Sequence, residues 1–283
     1  MTGRNAESIT GGWLIEIDNY GNQEPFHVQV NAPDDQFYVS AKTPEVWSNA
    51  QRQYLQQQMD ALVAAVYGDD DAALEAILDV ESAARFYLVQ ELMVNGEAYS
   101  GSCYLHKDMN EAQWHFGPVW DFGNAFNASH FNNNTDRFQP EFAEFKQHLI
   151  GQLLEHTCMQ QAVQRVWNHW RYYDYATSTD AVEQMSARIA GAASRDSQVP
   201  AVQADAQALS WTAHTNAVAG KNSMLAYYQA HVAWLTQQWG SGQADSAALE
   251  EMNDAQGANV RKVMRDGHLY IIQGDKCYSI MGF

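Results

Sequence analysis

A single carboxylate followed by a glycine is the feature of this sequence with the clearest chemical potential. Asp121 ends an apolar, aromatic run that starts at Gly117, and Gly123 follows two residues later. In phosphoryl transfer the protein supplies little covalent chemistry, and an acidic side chain that holds Mg²⁺ against the phosphates carries much of the catalysis. Asp121 suits that role. A Trp-Asp-Phe sequence also occurs in buried aromatic corners where the Asp caps a turn, so these residues alone leave both interpretations open.

Further motifs precede this run in a fixed order. Gly11 opens a Gly-Gly-Trp-Leu-Ile-Glu-Ile-Asp strand, Asp79 opens an Asp-Val-Glu-Ser helix start, and Asn95 opens an Asn-Gly-Glu. Ser102 then begins a Ser-x-Tyr-x-x-Lys-Asp strand, before Gly-Pro-Val-Trp-Asp-Phe at Gly117. Several motifs in one order are more specific than any single motif. Together they resemble the CotH family of atypical protein kinases, over roughly residues 10 to 170.

The resemblance implies a set of functional residues. Asp121 would bind the metal and act in catalysis, and Glu97 would occupy the position of the catalytic base. Asn95, Ser102 and Trp120 would belong to the cofactor site. ATP and Mg²⁺ are the implied cofactors, and the implied reaction moves the γ-phosphoryl group of ATP to Ser or Thr of a secreted protein.

Two side chains depart from the family pattern. The family's Asn-x-Asp reads Asn-Gly-Glu here, so Glu97 moves the carboxylate by one methylene. A displacement of about 1 Å can cost on the order of 100-fold in rate when positioning carries the catalysis. The family's Trp-Asp-Phe-Asp ends in Gly123, which leaves Asp121 as the only carboxylate of that motif. A magnesium site of one carboxylate, waters and phosphate oxygens remains feasible but weaker.

The nucleotide-gripping lobe expected before the Gly-Gly-Trp strand is missing from these residues. No Gly-rich phosphate loop and no Lys in a Val-Ala-Ile-Lys setting occurs. We expect a fragment of a longer protein rather than a degenerate relative, because the chain opens into a strand that would otherwise be an unpaired edge. The chain by itself is therefore expected to be inactive. The alternatives are a pseudokinase or module that binds an extracellular protein or glycan, and a structural cell-surface element.

The helices and strands expected from the sequence indicate an α+β fold, and the resemblance implies that it is of atypical protein-kinase type. A small N-terminal sheet and a central hairpin precede a mainly helical C-terminal half and a short β tail. Strands are expected at 12 to 18, 26 to 32, 36 to 40, 102 to 106 and 114 to 118. Helices are expected at 44 to 67, 69 to 78, 79 to 94, 142 to 156, 159 to 174, 178 to 194, 199 to 213 and 218 to 239.

The predicted organisation is a catalytic-lobe domain over 1–240, a linker over 241–259 and a tail over 260–283. Two turn signals divide the tail into three short strands. The tail resembles the C-terminal sorting modules of cargo secreted by the type IX route, although a small β appendage is the plain alternative. On that resemblance we expect an extracytoplasmic location, in the periplasm, at the cell surface or secreted, with a signal peptide outside this chain.

Charge and composition limit the classes of molecule that the chain is expected to bind. The chain has 34 acidic against 16 basic residues, for a formal net charge of −18. Such acidity disfavours binding to nucleic acid or to anionic membranes. No apolar span is long enough to cross a bilayer. A secreted protein is the expected substrate or partner.

Metal-ligand patterns are weak in this sequence. Cys103, Cys158 and Cys277 show no Cys-x-x-Cys spacing, and small buried roles are expected for the first two. His148 and His156 lie eight residues apart with no third ligand nearby in sequence, so no zinc site is predicted. The acidic run 69–71 lacks the Gly and distal Glu of a calcium loop, and we expect a helix cap there.

Overall fold

A computed structural model describes most of the chain. The described residues are 9–33, 35–95, 98–99, 101–123, 125, 148–209, 217–241, 260–265, 268–273 and 276–279. The chain divides into two compact units, Met1–Ser241 and Gly242–Phe283. The architecture is α+β, as predicted: a five-stranded antiparallel sheet with helices in the first unit and a three-stranded sheet in the second.

The main sheet has the order β2-β3-β1-β4-β5. Its strands are β1 Trp13–Asp18, β2 His27–Ala32, β3 Asp35–Thr43, β4 Cys103–Lys107 and β5 His115–Phe116. All five lie where the sequence predicts strands. The expectation that the first strand would be an unpaired edge is wrong, because β3 and β4 both pair with β1 and place it at the centre of the sheet.

The alternation along β1 separates the two faces of the sheet. Trp13, Ile15 and Ile17 are buried in the main hydrophobic core, as period-two patterning requires. Leu14 and Glu16 point to the opposite face, where they pair across the strands with His106 and Tyr104 of β4. The second face therefore carries polar side chains.

Helix α1, Asn49–Val66, covers the sheet next to β2. The prediction that it begins at Pro44 is wrong, because Ser48 is the N-cap and forms a capping box with Gln51. That reciprocal pair satisfies two backbone donors that a helix start leaves open. The predicted end is confirmed, since Tyr67 is the C-cap.

Two short helices lead toward the motif residues. Helix α2, Asp71–Ile77, is capped by Asp70, and α3, Val80–Leu92, is capped by Asp79. Each capping carboxylate accepts hydrogen bonds from two backbone N–H groups of the first turn, which supports the predicted cap in the acidic run. Helix α3 packs on α5 and beside β5.

The rest of the first unit is helical in its described residues. The helices are α4 His148–Leu153, α5 Thr157–Tyr173, α6 Tyr175–Asp196, α7 Pro200–Leu209 and α8 Ala217–Trp239. Trp167 is buried, and Trp170, Trp234 and Trp239 pack against the core, as their helical spacing predicts. Trp211 lies outside the described residues. Within the described part, no helix is both long and apolar enough to cross a membrane.

The second unit contains the predicted three strands. They are β6 Val260–Arg265, β7 His268–Gln273 and β8 Lys276–Ser279, joined as an antiparallel sheet in chain order. Arg265 pairs with His268 at one turn, and Gln273 pairs with Lys276 at the other.

Candidate functional site

The C-terminal end of α3 holds the first motif residue. The helix ends at Leu92, and Val94 turns the chain with a φ of 51°. A left-handed conformation is costly for a β-branched residue, about 1 to 3 kcal/mol, and such strain persists only where the surroundings enforce it. Asn95 follows, almost fully buried. Its backbone N–H donates to the Gln90 carbonyl at 3.0 Å, and its Nδ2 donates to Gln90 Oε1 at 2.9 Å.

The β4–β5 hairpin brings the second motif residue to the same place. Gly117 N–H donates to the Tyr104 carbonyl at 2.8 Å, which holds the chain as it leaves β5. Four residues later, the Asp121 carbonyl accepts a hydrogen bond from Asn95 Nδ2 at 3.1 Å. Residues that are 26 positions apart in sequence are thus joined directly. The buried amide clamps the backbone at the motif carboxylate.

The carboxylate itself faces outward. Asp121 is exposed and has a φ of 55°, a conformation that Asp and Asn tolerate better than most residues. Its Oδ1 accepts a hydrogen bond from Gly123 N–H at 3.2 Å. The Trp120 side chain beside it is 61% exposed. The alternative of a buried aromatic corner is therefore wrong for this motif, although the carboxylate does cap a small turn.

The remaining predicted site residues are Glu97, Ser102 and Trp120. Glu97 lies outside the described residues. Ser102 immediately precedes β4 and has a φ of 57°. The structure brings Asn95 and Asp121 into contact, and Trp120 adjoins Asp121 in the chain.

An open groove lies next to this loop. One wall is the second face of the sheet at Leu14 and His106, and the other is α3 at Arg85 and Val89. The remaining lining residues are Ser82, Phe86, Phe116, Gly117, Pro118 and Val119. Its volume is about 560 Å³, within the range of small-molecule sites, roughly 300 to 1,000 Å³. Asp121 follows the lining residue Val119 by two positions in the chain.

A Lys–Glu pair on the same face was missed by the sequence analysis. Lys42 Nζ of β3 lies 2.8 Å from Glu16 Oε2 of β1 and 3.3 Å from Glu24 Oε1. Burial alone would lower the pKa of Lys42, but hydrogen bonds and charges of the two carboxylates raise it above its ordinary value. The signal was an acidic residue at an outward position of a strand, together with a lysine in the neighbouring strand. Glu16 is two residues from Leu14, about 7 Å along β1 from the groove wall.

A histidine fixes the start of α3 to the hairpin. His115 Nδ1 lies 2.9 Å from Asp79 Oδ2, and Nε2 lies 2.7 Å from Glu111 Oε1. Burial alone would lower the pKa of His115, but the two carboxylates raise it above its ordinary value. Ser82 Oγ of α3 also accepts a hydrogen bond from Phe116 N–H at 3.0 Å. The start of α3 is therefore tied to the hairpin, and Asn95 beyond its end is tied to the Asp121 loop.

The chemistry of this donor set suits one hard cation. Asp121 offers an exposed carboxylate, and Gly123 contributes no side-chain ligand. Mg²⁺ retains several waters and is commonly held by one or two carboxylates together with substrate phosphates. The residues present therefore fit Mg²⁺ bound with a nucleotide better than Mg²⁺ held by protein ligands alone.

Comparison with known proteins identifies the family. No curated protein and no solved structure matches the chain. The model of the CotH kinase protein family matches residues 4–236, which include β1, α3, the hairpin and the Asp121 loop. Because the match covers most of the chain, the protein belongs to the CotH kinase family.

Proposed function

We propose that this chain carries a CotH-type site for ATP- and Mg²⁺-dependent phosphoryl transfer to Ser or Thr of a secreted protein. Asp121 would hold the cation, and Glu97 would accept the proton of the attacking hydroxyl. Mg²⁺ bound with the nucleotide would neutralise charge on the phosphates. Asn95 would act through Asp121 as a positioning residue, with Ser102 and Trp120 in the cofactor site.

The hydrogen bond from Asn95 to the Asp121 carbonyl is the observation that carries this proposal. It joins the first residue of the Asn-Gly-Glu motif to the backbone of the Trp-Asp-Phe motif at 3.1 Å. A phosphoryl-transfer site needs the base and the metal carboxylate at a fixed separation, because catalysis there is mostly positioning and electrostatic stabilisation. A buried amide is a rigid connector for that purpose, since leaving it unpaired would be costly.

The groove and the Lys42 pair support nucleotide binding. The groove is large enough for a nucleotide, and its lining residue Val119 precedes Asp121 by two positions in the chain. Lys42 is a strand lysine held by a buried glutamate, and protein kinases use a strand lysine paired with a glutamate to grip the phosphates. We propose that Lys42 serves the phosphates in the same way.

The reaction is proposed for the full-length parent, and this chain by itself is expected to be inactive. Glu97 shifts the base by one methylene, and Gly123 removes a carboxylate that would share the cation with Asp121. Both changes act on positioning and on charge, which are the main contributions of the protein to this reaction.

Calorimetry with ATP, with and without Mg²⁺, tests the proposal. The wild-type chain should bind ATP only with Mg²⁺, and Asp121→Asn should weaken binding at least tenfold. Asn is chosen because it keeps the shape and tolerates the left-handed backbone. Asp180→Asn, at an exposed position of α6, removes the same charge away from the groove and should bind like the wild type. Equal binding by all three proteins, or no Mg²⁺-dependent binding at all, would refute the nucleotide site.

A non-catalytic binding module is the second candidate. The observation that favours it is a set of exposed apolar side chains: Val89 and Val119, which line the groove, are 38% and 44% exposed, and Trp120, the next residue in the chain, is 61% exposed. Exposed aromatic residues beside a groove are typical of protein or glycan recognition. If ATP does not bind, Trp120 fluorescence changes on adding oligosaccharides or peptides would support this candidate.

We also propose that residues 1–240 form the catalytic-lobe domain, 241–259 a linker and 260–283 a sorting tail. The three antiparallel strands of the tail support this proposal, since they form a separate small unit. The protein would then be extracytoplasmic. Fusion of residues 242–283 to a periplasmic reporter, followed by assay of surface display in a host with type IX secretion, tests it; a reporter that stays periplasmic would contradict it.

A further inference from the structure

A second cluster of ligand-type side chains lies where α1, α2 and α5 meet. Asp71 is the first residue of α2, His156 is the N-cap residue of α5, and Cys158 lies in the first turn of α5. One carboxylate oxygen, one ring nitrogen and the thiol sulfur of these residues all lie within 4.8 Å of one another. The cluster is separate from the Asp121 loop and from the residues that line the groove.

The orientation of His156 places its second ring nitrogen against a carboxylate oxygen. Its Nε2 lies 3.0 Å from the Val66 carbonyl at the end of α1, so this nitrogen carries the hydrogen and donates. The other nitrogen, Nδ1, therefore points its lone pair at Asp71 Oδ1, 2.9 Å away. Two acceptors cannot face each other at that distance without a positive charge between them. Either a proton or a metal ion must occupy the position.

The surroundings match the outer contacts of a metal site. A histidine that binds a metal ion almost always donates its second ring N–H to a carbonyl or a carboxylate, and Val66 supplies that carbonyl. Metal-binding carboxylates are likewise held by hydrogen bonds, and Asp71 Oδ2 accepts one from Cys158 N–H at 2.9 Å. The His156 side chain is almost fully buried, whereas the Asp71 side chain is 37% exposed and gives access from solvent.

We propose that Asp71, His156 and Cys158 bind a divalent cation of the zinc class. The ligand atoms would be Asp71 Oδ1, His156 Nδ1 and Cys158 Sγ, with water in the fourth position. Sulfur and imidazole ligands favour Zn²⁺ and disfavour Mg²⁺ and Ca²⁺. Tetrahedral Zn²⁺ with bonds of about 2.0 to 2.3 Å places ligand atoms roughly 3.3 to 3.7 Å apart, so side-chain shifts of on the order of 1 Å complete the site.

The ion would join the start of α2 to the start of α5. The carboxylate ligand, Asp71, lies 85 residues before His156 in the chain. This separation explains why the spacing of histidines and cysteines predicted no zinc site.

Cobalt titration of the chelator-treated full chain tests the site. We expect one Co²⁺ per chain, a sulfur-to-cobalt absorption band, and a rise in melting temperature on adding Zn²⁺. Cys158→Ser should abolish the band. It should also weaken binding by more than the roughly 10- to 100-fold that loss of an outer partner costs. Cys103→Ser is the matched control, because that thiol is buried and free, and it should leave the band unchanged.

Asp71→Asn provides a second variant that keeps the shape of the cluster, so a failure of Cys158→Ser to fold would not decide the outcome. It should weaken Co²⁺ binding while leaving the metal-free melting temperature close to that of the wild type. Absence of Co²⁺ uptake by the wild type would overturn the proposal and leave a protonated His156 paired with Asp71. A band that disappears in Cys277→Ser instead of Cys158→Ser would also overturn it.

Discussion

We expect the fold to lose stability as the pH falls, because protonation of the buried His231 of α8 is unfavourable in the folded state. The ring is fully buried, and its Nε2 donates to the Glu91 carbonyl at 2.9 Å, near the end of α3. It stacks between Tyr227 and Trp234, with centroid distances of 5.4 and 5.6 Å. Within the described residues, its Nδ1 has no hydrogen-bond partner. Burial therefore lowers the pKa of His231 to about 4, from an ordinary value of 6.5.

The sign follows from proton uptake. Below pH 6.5 the unfolded chain protonates this histidine, whereas the folded chain does so only near pH 4. The contribution of neutral His231 to stability is thus present above pH 6.5 and is lost as the pH falls. Linkage gives a loss of about 2 kcal/mol by pH 5 and about 3 kcal/mol by pH 4, relative to pH 7.

Urea unfolding of the wild type and of His231→Gln from pH 7 to pH 4 measures this loss. Other acidic groups titrate in both proteins, so the informative quantity is the difference between their free energies of unfolding. The wild type should lose about 2 kcal/mol relative to His231→Gln by pH 5. His27→Gln, at a half-buried position of β2, should follow the wild type. A difference that stays constant within about 0.5 kcal/mol would refute the reasoning.

Three further predictions concern the site. Lys42→Met should destabilise the fold by about 1 to 3 kcal/mol because buried Glu16 loses its counter-charge, and adding Glu16→Gln should recover part of that loss in a double-mutant cycle. His115→Gln should lower the free energy of unfolding by about 1 kcal/mol below pH 6.5, where protonated His115 stabilises the fold. The wild type loses this contribution as the pH rises through the raised pKa of His115, so the free energies of unfolding of the two proteins should converge in alkali. Divergence would contradict the charge assignment. Gly123→Asp should tighten Mg²⁺–ATP binding in calorimetry, since a Cβ there lies 3.2 Å from Asp121 Oδ1 and adds a second carboxylate; unchanged affinity would argue against a shared cation.

The fold was predictable wherever local signals were strong. Strand alternation marked β1 to β3, and Asp79 marked the start of α3. Pro44 was a misleading helix signal, because the Ser48 capping box outweighed it. The central position of β1 depends on its pairing with β4, a contact between distant segments that no local pattern encodes.

The candidate site was predictable only in its motif residues. The order of the motifs pointed to Asn95 and Asp121, and the structure joins them. Lys42 was missed because its partner lies on another strand, and the register that aligns β1 with β3 includes an irregularity after Leu14. The cluster at Asp71 was missed for the same reason, since its members come together only through helix packing.

The clamp on the Asp121 loop has an evolutionary consequence. Asn95 holds a main-chain carbonyl, which every amino acid at that position would present. The shape of the loop is therefore separable from the acid that it displays. A lineage can exchange Asp121 for another residue that accepts a left-handed backbone, lose the reaction, and keep the scaffold for recognition. Inactive descendants of this architecture should then retain the asparagine after the acid has gone.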